Sequence, residues 1–206
     1  MTTPSGKLIV LEGIDGSGKT TLQRGIAARL GALGARVVTT KEPTDGPLGQ
    51  QIRALARSGR EGVSKEEELS LFHEDRKVHV ETVVLPALAS GAIVVQDRSY
   101  FSTVAYQGER GFDRAALLAL ERAIAPDPDL LLVVDVPAEL ALERIHTARA
   151  LAADDFERLE TLQRIRRVFL ELPGAVVLDG RLTEHALLDR AMNVISKRLS
   201  LPAAIS

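Results

Sequence analysis

Five short apolar runs are spaced along the chain. They are rich in leucine or in β-branched residues and show no alternation of apolar with polar positions. Such continuous runs are typical of strands in a parallel sheet covered on both faces, because neither side of such a strand meets water. The predicted strands cover residues 8–11, 37–40, 93–96, 130–135 and 175–178.

Longer stretches with a helical pattern lie between these runs. Strand alternates with helix along the chain, which indicates an α/β sandwich with right-handed crossovers. Pro86 lies late in the longest helical stretch and is expected to kink or end that helix. No repeat, low-complexity tract or long linker divides residues 1–206, so we expect a single domain. The predicted helices cover residues 19–33, 49–58, 65–89, 114–125, 138 to about 149, 156–172 and 184–199.

Composition sets limits on the class of protein. Apolar residues make up 45% of the chain, which supports a folded globular core. The formal net charge is −2, so no overall positive field indicates nucleic acid or an acidic membrane as a partner. No apolar stretch approaches the roughly 20 residues that cross a bilayer. The chain has no cysteine, which removes disulfides and thiolate metal ligands. We therefore expect a cytoplasmic protein that binds neither nucleic acid nor a membrane.

A glycine-rich loop follows the first predicted strand and opens the first predicted helix. Residues 13–20 read Gly-Ile-Asp-Gly-Ser-Gly-Lys-Thr, a full Walker A pattern in the strand–loop–helix context that it requires. The glycines let backbone N–H groups approach phosphate oxygens, and the helix directs its positive end at the same anion. Lys19 is expected to reach the β- and γ-phosphates, and the Thr20 hydroxyl to ligate Mg²⁺. The loop predicts nucleoside triphosphate binding without separating kinases from GTPases, transport ATPases or switches.

The rest of the chain favours a compact kinase. It contains no Asn-Lys-x-Asp segment for guanine recognition, and it lacks the signature segments of transport and helicase ATPases. A second substrate is then expected beyond the carboxyl ends of the next strands. Asp97 and Arg98 stand at one such end. The carboxylate would bind Mg²⁺ through water or orient Arg98, whose planar guanidinium suits a phosphate. A surface salt bridge between the two is the alternative.

An ordered set of short motifs resembles the thymidylate kinase family, the P-loop nucleoside monophosphate kinases that phosphorylate dTMP. The resemblance runs from about residue 8 to residue 172, and each motif alone is less specific than their order. Lys41 departs from the pattern, because the family usually has arginine there. The motifs are Glu-Gly-x-Asp-Gly-x-Gly-Lys-Thr at 12–20, Glu-Pro at 42–43, Phe72 and Arg76, Asp97 and Arg98, and Ser-x-x-Ala-Tyr-Gln-Gly at 102–108.

The resemblance implies a P-loop NTPase three-layer sandwich with a five-stranded parallel sheet and a short helical lid at about residues 144–158. Phe72 would stack on the thymine ring, and Arg76, on the same helix face, would donate to a base carbonyl. Tyr106 would pack against the deoxyribose and exclude a 2′-hydroxyl. The implied dTMP-binding residues are Glu42, Pro43, Arg53, Phe72, Arg76, Arg98, Thr103, Tyr106 and Gln107.

The implied reaction is transfer of the ATP γ-phosphoryl group to dTMP. The acceptor is a phosphate oxygen that is already ionised near neutral pH, so no general base is required. The phosphate loop carries no arginine, and by resemblance the lid supplies one: Arg149 first, and second Arg144, which would also suit adenine. The implied catalytic residues are Lys19, Asp15, Arg98 and Arg149; the ATP-binding residues are Gly13, Ile14, Asp15, Gly16, Ser17, Gly18, Lys19, Thr20, Thr21 and Arg144; the Mg²⁺ ligands are Thr20 and Asp97.

Two alternatives to a dTMP kinase stay open from the sequence. A kinase for another nucleoside monophosphate would keep the phosphate loop and the general arrangement. A nucleotide-binding module without productive turnover would keep the loop alone, and Asp155, which stands where the family commonly has arginine, motivates that reading. The family is usually a homodimer, so the resemblance also implies a dimer.

Overall fold

A single parallel sheet forms the centre of the structure, a computed structural model that describes residues 6–59, 62–148 and 155–200. The strand order is β2-β3-β1-β4-β5, and each neighbouring pair is parallel. The predicted α/β fold and its five strands are confirmed, and no strand boundary differs from the prediction by more than one residue. The strands are β1 Lys7–Glu12, β2 Val37–Lys41, β3 Ile93–Asp97, β4 Leu130–Asp135 and β5 Val176–Asp179.

Helices cover both faces of the sheet and make the outer two layers. In β1, Ile9 and Leu11 pack with α1 and α9, whereas Leu8 and Val10 face the other side, because successive strand residues point in opposite directions. Among the described residues, no helix is long and apolar enough to cross a membrane. The helices are α1 Lys19–Ala32, α2 Pro47–Arg57, α3 Lys65–His79, α4 Leu85–Ala89, α5 Tyr100–Glu109, α6 Arg114–Arg122, α7 Ala138–Ala148, α8 Asp155–Leu170 and α9 Glu184–Leu199.

The long helix predicted over residues 65–89 is divided by a wider turn. Helix α3 passes into a π-helical turn, Val80–Val84, and then into α4. Pro86 does not end the helix, which runs on to Ala89. The irregularity lies in the turn before the proline, whose ring conflicts with a regular helical carbonyl four residues earlier.

One expectation needs correction, and another falls partly on residues that the structure does not describe. Helix α5 is absent from the predicted helices, although it carries the Ala-Tyr-Gln-Gly motif. The predicted lid at about residues 144–158 includes the end of α7 and the start of α8. The part between them, residues 149–154, lies outside the described residues, and so does Arg149.

Candidate active site

The phosphate loop joins the end of β1 to the start of α1 through three glycines with positive φ. Gly13, Gly16 and Gly18 have φ angles of 140°, 79° and 96°. A Cβ atom at Gly16 would lie 2.4 Å from the carbonyl oxygen of Ala141, so a larger residue would collide with backbone as well as strain the turn. The sequence therefore folds this loop close to α7, with Gly18 immediately before α1.

Lys19 is buried inside the loop. Its Nζ atom donates to the carbonyl oxygen of Ile14 at 2.8 Å and lies 3.2 Å from Oγ of Ser17. Burial, followed by the charge of Arg98, lowers the pKa of Lys19 to about 8, although nearby carboxylates oppose the shift. The ammonium group is thus held within the loop that would surround a triphosphate.

Thr20 and Asp97 meet where α1 begins and β3 ends. Thr20 Oγ1 donates to Asp97 Oδ2 at 2.5 Å. The second carboxylate oxygen of Asp97 is buried and has no hydrogen-bond partner among the described residues. A hydroxyl beside a carboxylate with a spare oxygen is a donor set that suits Mg²⁺, which prefers oxygen ligands and usually shares them with phosphates and water. The described residues form no cluster of three or more acidic, histidine or cysteine side chains that could hold a metal ion.

Arg98 connects the phosphate loop with the acceptor side. Its backbone has a φ of 69°, which is unusual for a residue with a side chain. Its guanidinium donates to Asp15 Oδ1 at 2.6 Å and to Ser102 Oγ at 2.9 Å, and it lies 5.3 Å from the centre of the Tyr106 ring. Burial alone would lower the pKa of Arg98, but Tyr106 and the nearby carboxylates raise it, so the cation is permanent.

Glu12 fixes the position of the segment that carries Arg98, a role that the sequence analysis missed. It is fully buried at the end of β1. Its two carboxylate oxygens accept four hydrogen bonds, from the backbone N–H and hydroxyl groups of Ser99 and Ser102 at 2.7–3.2 Å. Burial raises the pKa of Glu12. The sequence did contain a signal for this role, because Glu12 is a charged residue at the end of an apolar strand. A buried carboxylate of this kind needs hydrogen-bond donors around it.

A pocket of about 570 Å³ opens beside Arg98 and receives every residue that the resemblance assigned to dTMP. It is formed where α2, α3 and α5 approach α8 and the turn after β2. The predicted residues on its wall are Glu42, Pro43, Arg53, Phe72, Arg76, Arg98, Thr103, Tyr106 and Gln107. Lining residues that were not among those assigned to dTMP include Ile52, Glu68, Ser99, Ser102, Glu109, Arg110, Arg164 and Ile165.

Arg76 lies in the deepest charged cluster of this region. Its Nε and Nη2 atoms donate to Glu42 Oε2 at 2.9 and 2.7 Å, and Nη2 also donates to Thr103 Oγ1 at 2.9 Å. On the other side, Nη1 lies 2.7 Å from Glu121 Oε2. Burial opposes the charges of both groups, yet the pKa of Arg76 is raised and that of Glu42 is lowered, because each stabilises the charged form of its partner.

The other residues predicted to bind dTMP lie at different depths of the pocket. Phe72 is half-buried one turn before Arg76 on α3. Arg53 donates to the carbonyl oxygen of Pro43 at 2.9 Å and pairs with Asp45 at 3.3 Å. Gln107 is buried, and its Oε1 atom has no hydrogen-bond partner among the described residues.

A second pocket, of about 730 Å³, lies on the other side of the phosphate loop. Gly16, Ser17, Gly18 and Thr21 form one wall of it, and Arg144 forms another. The guanidinium of Arg144 donates to the carbonyl oxygen of Gly180 at 3.0 Å and contacts that of Gly16 at 3.5 Å. The second pocket thus contains five of the predicted ATP-binding residues, whereas Asp15 of the same loop lines the first pocket together with the predicted dTMP-binding residues.

A sequence model of the family described as thymidylate kinase matches residues 11–183. The chain belongs to the thymidylate kinase family. The matched range includes every predicted site residue, from Gly13 to Arg149. The resemblance seen in the motifs is thereby confirmed.

Named relatives agree with the family model over nearly the whole chain. A thymidylate kinase of Xanthomonas campestris pv. campestris (strain B100) is 47% identical over 200 residues, which cover 96% of this chain and 86% of that protein. A thymidylate kinase of Xylella fastidiosa (strain M12) is 42% identical over 198 residues, which cover 95% and 89%. Similarity of this extent supports one shared fold, the parallel sheet with its phosphate loop, across these proteins.

Proposed function

We propose that this protein is a dTMP kinase, which transfers the γ-phosphoryl group of ATP to dTMP. The observation that carries the proposal is the ion pair that joins Asp15 of the phosphate loop to Arg98 on the wall of the first pocket. Asp15 belongs to the phosphate loop, and both residues line the acceptor pocket. A triphosphate on the loop and a monophosphate beside Arg98 would therefore lie end to end, as an in-line transfer needs.

Two groups in the acceptor pocket favour thymine over cytosine. Nη1 of Arg76 has no aligned hydrogen-bond acceptor among the described residues, and Oε1 of Gln107 has no donor among them. Thymine carries a ring carbonyl next to a ring N–H, so it would satisfy a donor and an acceptor together. Cytosine carries an amino group and an unprotonated ring nitrogen at the same places, and it would leave both protein groups unpaired.

Each charged residue would act by position and charge. Lys19 would exchange the Ile14 carbonyl for phosphate oxygens of ATP, and Arg98 would hold the acceptor phosphate. Mg²⁺, when held by Thr20, Asp97 and the nucleotide, neutralises charge on the β- and γ-phosphate oxygens. Asp15 would keep Arg98 directed at the reacting oxygens. No proton has to be removed, because the acceptor oxygen is already anionic.

Several finer features belong to the same proposal. Arg144 would contact adenine in the donor pocket, and Arg149 would bring the additional cation that the phosphate loop lacks. We further propose a cytoplasmic homodimer that does not act on nucleic acid. Family membership and the exposed aliphatic side chains of α3 and α4 support the dimer, and the near-neutral net charge supports the last point.

The test is release of ADP from ATP and Mg²⁺ with dTMP, dUMP, dCMP, dGMP or dAMP as acceptor. We expect the highest kcat/KM with dTMP and a much lower value with dCMP. A Lys19→Ala variant is the matched control and should lose turnover with every acceptor. A preference for another monophosphate would support the alternative kinase. ATP binding without turnover on any acceptor would support a nucleotide-binding module and overturn the proposal.

A further inference from the structure

Glu121 is a buried carboxylate that belongs to none of the family motifs in the sequence. It lies near the end of α6, has no exposed surface and shares the inward side of that helix with Leu117, four residues earlier. A charged side chain on the buried stripe of a helix is strongly unfavourable unless a partner of opposite charge compensates it. The partner of Glu121 therefore indicates what the carboxylate does.

That partner is the guanidinium of Arg76. Glu121 Oε2 lies 2.7 Å from Nη1 of Arg76 and 3.5 Å from Nδ1 of His73. Glu42 accepts from the opposite edge of the same guanidinium. Arg76 is thus held between two carboxylates that come from different parts of the fold, the turn after β2 and helix α6.

A count of N–H groups shows which end of Arg76, a buried side chain, lacks an aligned hydrogen-bond acceptor. Arginine has five N–H donors. The single N–H of Nε and the two of Nη2 are directed at Glu42 and Thr103. Only Nη1 lacks an aligned acceptor within the part of the chain that the structure describes, and Glu121 is the group closest to it. The ion pair with Glu121 consequently sets the direction of this buried donor.

We propose that Glu121 is a positioning residue for the acceptor base: it holds Nη1 of Arg76 so that one N–H points at a carbonyl of thymine. The inference rests on the proposed function and names a residue outside the motifs that determines base preference. Glutamine at this position would keep the shape of the side chain but present an amide. The amide has no charge to hold the guanidinium. Its NH₂ group is a hydrogen-bond donor and would face the N–H donors of Arg76.

The test compares Glu121→Gln with the natural protein on dTMP, dUMP and dCMP. We expect kcat/KM for dTMP and for dUMP to fall about tenfold, mainly through KM, because both bases carry the carbonyl. The KM for ATP should stay within about twofold, and the preference for dTMP over dCMP should shrink. Asp113→Ala is the matched control, because it removes the cap of α6, where Asp113 Oδ1 accepts from Ala116 N at 2.7 Å, and leaves Arg76 untouched.

Several outcomes would overturn the inference. One is an equal loss with dTMP, dCMP and ATP in Glu121→Gln, and another is the same selective rise in the dTMP KM in Asp113→Ala. Both would mean that Glu121 only supports the fold. If Glu121→Gln does not fold, the test uses Glu121→Asp, which keeps the charge but shortens the side chain. An unchanged KM for dTMP in that variant would overturn the inference. Failure of the natural protein to phosphorylate dTMP would instead overturn the proposed function itself, and the inference with it.

Discussion

At the scale of single residues, the phosphate loop keeps an ammonium group away from water. Lys19 is buried, and its Nζ atom is satisfied by the Ile14 carbonyl and the Ser17 hydroxyl. Neutral acceptors of this kind compensate a charge only in part, so burial lowers the pKa of Lys19 to about 8. A triphosphate would replace them with anionic oxygens, which stabilise the protonated form far better.

This arrangement predicts a pH dependence for ATP capture. As pH rises through about 8, free Lys19 loses its proton and its ability to neutralise a phosphate, so kcat/KM for ATP should fall by up to tenfold per pH unit. The effect on stability has the opposite sign. A lysine whose folded pKa lies below its ordinary 10.5 destabilises the fold below pH 8, and this effect disappears as pH rises towards 10.5.

The measurement is a pH–rate profile from about pH 6 to 10, taken separately for ATP and for dTMP at saturating ATP. Bound nucleotide should raise the pKa of Lys19, so kcat and the dTMP profile should stay flat across the region where the ATP profile falls. A constant kcat/KM for ATP up to pH 10 would contradict the assignment of Lys19 as a phosphate ligand with a pKa of about 8.

At the scale of elements, α3 is fixed at its N-terminus by a capping box that lies well before Phe72 and Arg76. Ser64 Oγ accepts from the Glu67 N–H at 3.2 Å, and Glu67 Oε2 accepts from the Ser64 N–H at 2.8 Å. Ser64→Ala should lower the free energy of unfolding by about 1 kcal/mol. Because Phe72 and Arg76 lie at least two turns further on, kcat/KM for dTMP should be unchanged.

Chemical denaturation and steady-state kinetics on the same preparations check this prediction. Ser58→Ala is a suitable control, since Ser58 follows the C-terminus of α2 and its hydroxyl donates to the Leu55 carbonyl at 3.3 Å. A loss of dTMP affinity in Ser64→Ala would show that the start of α3 and the pocket move together.

Continuous apolar strands could be predicted even where they are fully buried, whereas a mostly buried helix could not. The five strands are apolar runs and were all recognisable. Helix α5 was not, because six of its ten residues are buried and they leave no continuous polar face to mark the period of a helix. Its motif residues were found through the family resemblance instead.

The candidate site shows the same limit. Motif residues such as Phe72 and Tyr106 reach one pocket because the segments that carry them follow strands with a common carboxyl edge. The contact between Arg76 and Glu121 joins α3 to α6 across 45 positions of the sequence, and no local pattern encodes that pairing. The one local signal was the position of Glu121, four residues after Leu117 on the buried side of α6. A charged residue at such a position indicates a buried partner.

At the scale of the whole molecule, the strand order separates the two substrates. Strand β1 is central and delivers the phosphate loop. On one side, β2 and β3 lead into the acceptor pocket through Glu42 and Arg98. On the other side, β4 and β5 lead to Arg144 and Gly180 in the donor pocket. In the proposed reaction the phosphates would therefore meet over the centre of the sheet, beyond the carboxyl end of β1.

The outer side of α3 and α4 provides the test of the proposed dimer. Val78, Val83 and Leu85 are 50%, 37% and 46% exposed within eight residues, whereas Val80 and Val84 on the inner side are buried. Clustered exposed aliphatic side chains mark interaction surfaces. A lysine at position 78 would bring a charge into such a contact, so Val78→Lys should shift the protein from dimer to monomer in sedimentation equilibrium. Val177→Lys, at a similarly exposed valine on β5, should remain dimeric. A dimeric Val78→Lys protein would mean that this face is not the interface.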